Sequence, residues 1–152
     1  MAGYPSGQFD VTTLTASPDV VRKGQTPAET FDLSCEFTGS GNAWQMLEWF
    51  SDFLANLNPP QERLKAETRF FLESIGPGPE MVVADQKTDL ISGGSPYTVT
   101  VTGIDPDGNF LQPNGNTETI EKGIYRVQCR VDVSAGTFFT GYFSGDVLLR
   151  VA

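Results

Sequence analysis

The sequence predicts a mainly β protein, an antiparallel β-sandwich with one amphipathic helix inserted early. Apolar and polar residues alternate at every second position in several short runs, the mark of strands with one dry and one wet face. One stretch between Gly41 and Pro59 changes to helical spacing. No strand–helix alternation repeats along the chain, which argues against a parallel, doubly wound sheet. The 16 Gly and 10 Pro fit short strands joined by tight turns.

In chain order, residues 1–8 contain Pro5 and read as a loose terminus. Phe9–Thr15 is a first strand, broken by Ser17-Pro18-Asp19, and Val20–Arg22 resumes it. Thr30–Thr38 places Phe31, Leu33, Cys35 and Phe37 on one face and Asp32, Ser34 and Glu36 on the other. Trp44, Leu47, Trp49, Phe50, Phe53, Leu54 and Leu57 then recur at helical spacing. Asn42 is positioned to cap this helix over residues 42–57, and Asn58-Pro59-Pro60 to stop it.

Thr68–Ile75 is the next strand, ended by Gly76-Pro77-Gly78-Pro79, and Met81–Ala84 a short one. Tyr97–Thr102 alternates Tyr97, Val99 and Val101 against Thr98, Thr100 and Thr102. Residues 105–118 read as loop. Tyr125, Val127, Cys129, Val131 and Val133 share one face of a long strand, and residues 137–151 form a last strand or strand pair. The whole 152-residue chain reads as one domain of about seven to nine strands.

Charge narrows the partners. The net charge of −9 repels phosphate backbones, and Arg22-Lys23 is the one adjacent basic pair. Nucleic acids and anionic membranes are therefore excluded as expected partners. No apolar run approaches the roughly twenty residues of a membrane helix. Met1–Phe9 has neither a basic nor an apolar signal region, which predicts a cytoplasmic chain, a fragment, or export by another route.

Cys35 lies inward on an early strand and Cys129 inward on the penultimate one, within Gly123-Ile124-Tyr125-Arg126-Val127-Gln128-Cys129. This arrangement resembles the immunoglobulin-type sandwich. The resemblance implies that the two cysteines face each other between the sheets. They would be buried thiols in a reducing compartment and a possible disulfide in an oxidising one. The tyrosine that precedes the second cysteine stands four residues before it here, where the family has it two before.

The chain has no histidine, which removes Ser-His-Asp and Cys-His catalysis and imidazole zinc sites. Carboxylates such as Glu67 and Glu73 leave a two-carboxylate hydrolase open, against a plain solvated sheet face. Asp105, Asp107 and Asn109 have the alternate spacing of calcium ligands. Phe110 and Asn116 stand where an EF-hand needs Gly and Glu, so the choice is a looser Ca²⁺ loop or a simple turn.

The aromatic helix face reads either as a plug for the sandwich or as a docking surface. Phe139 and Phe143 oppose Phe138 and Tyr142 on one strand, so one pair lies beneath the helix or forms an exposed patch. The expected function is a non-catalytic protein-interaction or structural module, binding a protein partner or itself. Trp44, Trp49, Phe53, Phe138 and Tyr142 are the candidate interface residues. A calcium- or carbohydrate-dependent binding module is the alternative.

Overall fold

The computed structural model describes residues 8–75, 80–135 and 137–152. Two antiparallel sheets enclose one apolar core. The first contains β1 (Gln8–Ser17), β3 (Phe31–Ser40) and β6 (Tyr97–Ile104), in the order β1-β3-β6. The second contains β2 (Val20–Val21), β10 (Thr137–Val151), β9 (Gly123–Ala135), β4 (Lys65–Ser74) and β5 (Glu80–Asp89), in the order β2-β10-β9-β4-β5. A small hairpin, β7 (Asn109–Leu111) and β8 (Thr117–Thr119), projects between β6 and β9. The pairing of β2 with β10 is parallel; the other recorded pairings are antiparallel.

Alternation decides what lies inside. Phe31, Leu33, Cys35 and Phe37 of β3 face Phe70 and Leu72 of β4 and Val127, Cys129, Val131 and Val133 of β9 across one buried cluster. Each large apolar side chain buried this way contributes about 1.5–3 kcal/mol. Tyr125 enters the same core, and its hydroxyl donates to the Glu121 carbonyl at 2.6 Å. That bond pins the turn entering β9 to the strand itself.

The helix α1 spans Asn42–Ala55 in the connection between β3 and β4. The expected cap does not form. Gly41 takes the cap position at φ 90°, and no side chain bonds the helix start. Positive φ there suits glycine and makes Asn42 the first helical residue. The helix also ends at Ala55, two residues short of Leu57, where Asn56 turns its side-chain amide back to the Asp52 carbonyl at 2.9 Å.

Two further expectations are corrected. The region read as loop carries the β7–β8 hairpin, whose three-residue strands are too short to show alternation. β5 runs on to Asp89 because Lys65–Asp89 and Arg69–Asp85 ion pairs tie its polar half to β4. Of the two forms expected for the last segment, the single strand is the one present, with a register break between Phe143 and Val147. Of the expected loose terminus, Gln8 already belongs to β1, and residues 1–7 lie outside the described residues, as do 76–79.

Candidate functional site

The helix carries two apolar stripes on different faces. Trp44 and Leu47 share a face with Glu48 and Ser51, and these four are its buried residues. Met46, Trp49, Phe50 and Phe53 follow the i, i+3, i+4, i+7 spacing of a second face and are 58%, 62%, 48% and 58% exposed. Phe50 and Phe53 stack on each other, ring centroids 6.0 Å apart. No charged residue interrupts this stripe.

The buried face explains why the larger apolar stripe points outward. Trp44, 1% exposed, packs on Phe9 at 5.3 Å and edge-on to Phe139 at 5.5 Å. It lies flat over Gly39, where an added Cβ would come within 2.1 Å of the indole Cδ2. Polar bonds complete the seat. The Ser51 hydroxyl donates to the Leu90 carbonyl at 2.6 Å and accepts from the Leu64 N–H at 3.1 Å. The Tyr97 hydroxyl donates to Glu48 Oε2 at 2.5 Å and accepts from the Ile91 N–H at 3.0 Å. Arg63 reaches Asp52 at 2.5 Å.

These contacts perturb their own titration. Hydrogen bonding from Ser92 and then from Arg63 holds the Asp52 carboxyl below the usual range. Burial, and then the bond to Glu48, pushes the Tyr97 phenol up. The orientation of the helix is thus fixed by directional bonds as well as by apolar burial, and Met46, Trp49, Phe50 and Phe53 are left without cover.

The structure separates the candidate interface residues. Trp44 is core, because Gly39 gives its ring a flat seat within the sandwich. Trp49 and Phe53 lie on the outward stripe together with Met46 and Phe50. Tyr142 is 61% exposed on the outer face of the second sheet, under the Arg130 guanidinium at 5.5 Å. Phe139 and Phe143 pack against the core, with Phe139 meeting Trp44 of the helix. The side chain of Phe138 lies outside the described residues. Met46 and Phe50 complete a stripe that the sequence reading left incomplete, since the same spacing that joins Trp49 to Phe53 joins them too.

Asp105 is engaged in a turn bond and Asp107 in a bond to a distant loop. Asp105 Oδ1 accepts from the Asp107 N–H at 2.8 Å, and Asp107 Oδ2 accepts from the Gly24 N–H at 2.8 Å. Asn109 opens β7. Among the described residues no group of three His, Cys, Asp or Glu side chains is placed to hold a metal ion.

Cys35 and Cys129 are free, buried thiols on β3 and β9. Hydrogen bonding to Cys129, and then burial, holds the Cys35 thiol above its ordinary value. Among the described residues, several open clefts flank the second sheet. One, of about 420 Å³, is lined by Glu62, Arg63, Lys65, Glu67, Lys87 and Asp132. Two of its three acids are tied in ion pairs, Glu67 with Arg69 at 3.1 Å and Asp132 with Arg130 at 2.8 Å. Another, of about 360 Å³, contains Glu80, Gln112 and Glu118.

No family model and no curated protein matches the sequence. Among solved structures, the chain is similar to a β-glucosidase from Listeria innocua in complex with glucose, at 14% identity and a TM-score of 0.44. The match covers 97% of this chain and 16% of that one. The same enzyme in complex with gluconolactone matches at 16% identity and a TM-score of 0.39, again over 16% of its length. This chain therefore spans about a sixth of the proteins it resembles. No helix among the described residues is long and apolar enough to cross a membrane.

Proposed function

We propose that this chain is a non-catalytic protein-binding module built on an immunoglobulin-like sandwich, with the outward face of α1 as its binding surface. The sandwich assignment rests on sheet order, on inward cysteines on β3 and β9, and on the Tyr125–Glu121 bond before the second cysteine. The tyrosine makes the family's backward bond from a position two residues earlier than usual. A non-catalytic role is supported by the absence of histidine and by the ion-paired state of Glu67 and Asp132.

The observation that carries the binding surface is the exposed stripe of Met46, Trp49, Phe50 and Phe53. Such a stripe fits a helix-in-groove mode, in which anchors at this spacing enter an apolar groove of the partner. Aromatic anchors give large contact area at small entropic cost and dominate interface energies. With a net charge of −9 on this chain, the complementary groove is apolar at its floor and basic at its rim.

The test is the double variant Trp49→Glu, Phe53→Glu. It is expected to keep the parent Tm, because both side chains already stand in solvent. It is also expected to lose the partners that a photo-crosslinker at position 50 captures from cells that make the protein. Trp49 emission should shift to the blue in the complex, whereas Trp44, already buried, stays constant. A double variant that unfolds, or that keeps the same crosslinked partners, would overturn this reading.

A further inference from the structure

The four sheet margins differ in how they are closed. β2 is two residues long. β5 is clasped by Gln112, whose amide accepts from the Val82 N–H at 2.8 Å and donates to the Val82 carbonyl at 2.9 Å. β1 has a register break between Val11 and Thr13 and packs beside β10. β6 approaches β5 and has a register break of its own, but only at its end, between Val101 and Ile104, so Tyr97–Val101 presents a regular edge. It pairs with β3 on one side, and among the described residues no other backbone bonds Tyr97–Thr102. It carries no charge and no proline. An uncharged, β-branched, open edge is a template for strand addition.

Two observations indicate what fits it. Val101 points inward from β6 and stays partly exposed between the buried Val99 and Ile104, so the core is incompletely covered at that one position. The strand is also a palindrome, Thr98-Val99-Thr100-Val101-Thr102. Antiparallel pairing with itself about Thr100 sets Thr100 against Thr100, Val99 against Val101, and Thr98 against Thr102. β-Branched residues then meet on the inner face and threonines on the outer, both favourable cross-strand pairs. The centre holds whichever alternate set of backbone groups faces outward, because a twofold axis through one residue accommodates either kind of antiparallel pair.

We propose that β6 is a self-association edge, joining two copies through β6–β6 pairing about Thr100 into one six-stranded sheet, β1-β3-β6-β6-β3-β1. Each copy carries −9, so screening by salt strengthens the pairing, opposite to the salt response of a charge-driven complex.

Thr98, Thr100 and Thr102 are exposed, so substitutions there leave the monomer folded. Sedimentation and light scattering of the parent should give twice the chain mass, with dissociation on dilution and tighter association in higher salt. Thr100→Glu should return the mass to that of one chain with a Tm close to the parent's, since within the chain it gives up only the exposed hydroxyl bond to Ser34. Under mild oxidation Thr100→Cys should form a crosslinked dimer, since opposed residues lie within disulfide reach. Thr98→Cys alone should not crosslink, and Thr98→Cys with Thr102→Cys should. A monomeric parent would overturn the proposal and leave β6 open to an extended segment of another protein. Equal crosslinking by Thr98→Cys and Thr100→Cys would overturn the register.

Discussion

Tyr97→Phe removes one oxygen atom and should cost this protein a large share of its stability. The ring is 7% exposed and stacks on Phe37 at 5.0 Å, a contact phenylalanine keeps. What disappears is the hydroxyl that joins Glu48 Oε2 at 2.5 Å to the Ile91 N–H at 3.0 Å. Glu48 is itself 5% exposed, so water cannot replace the bond freely. A net hydrogen bond is worth about 1 kcal/mol, and each buried group left without a partner costs about 1–3 kcal/mol. The sum is about 2–4 kcal/mol, a fall in Tm of roughly 5–15 °C for a chain of this size. Urea unfolding should show a lower midpoint at unchanged slope.

A double-mutant cycle with Glu48→Gln isolates the pair, and a coupling of at least about 1 kcal/mol is expected. A Tyr97→Phe protein within about 0.5 kcal/mol of the parent, or an additive cycle, would show that the helix is not held by this bond. The same tyrosine sets an alkaline limit. Burial, followed by the Glu48 bond, raises the folded phenol, and burial raises Tyr125 as well. Unfolded tyrosines ionise near pH 10. The stability they confer is whole below that value and falls as pH rises above it towards the folded values. Tyr97→Phe should flatten this alkaline loss.

Three further outcomes test the fold. Gly39→Ala forces a methyl into the Trp44 ring and should cost about 1–3 kcal/mol with a change in near-ultraviolet circular dichroism; an unchanged Tm would mean the indole is not seated there. The Cys35 and Cys129 thiols should resist alkylation until the protein unfolds, and an oxidised bridge between them would close a loop of roughly 95 residues and add about 4–5 kcal/mol; labelling of the native protein at the rate of a free thiol would refute the buried placement. Burial and then Glu73 raise the Glu80 carboxyl, so Glu80 loses stability as pH rises through its folded value. Glu80→Gln should therefore raise the unfolding free energy slightly near pH 7, by about a few tenths of a kcal/mol after solvent screening, and match the parent below the carboxylate range.

The strands were legible in the sequence wherever a wet and a dry face alternate, as in Phe31–Phe37 and Tyr125–Val133, because burial on one side imposes that period. β7 and β8 escaped because three-residue strands with mostly exposed side chains leave no pattern. The helix was legible as a helix, but not its orientation. Its sequence holds two apolar stripes, and amphipathicity alone would bury the larger. The burial of Glu48 and Ser51 depends on Tyr97, Leu64 and Leu90, residues distant in the chain. Nothing local to residues 42–55 announces those partners. The open edge at β6 was likewise invisible until sheet order was known, although its palindrome stood in the sequence.

The two proposed surfaces lie on different elements, so each can be removed without the other. Pairing through β6 would give one particle two copies of the α1 stripe. For a partner that itself offers two grooves, linkage converts the second contact into an intramolecular one and raises apparent affinity by about 10²–10⁴ where the geometry allows both. Thr100→Glu should then weaken binding to such a partner while leaving a single-groove partner unaffected. Trp49→Glu should abolish both and leave the mass doubled. If Thr100→Glu weakened both kinds of partner equally, the β6 edge would itself be part of the docking surface, and the separation of roles drawn between helix and edge would be wrong.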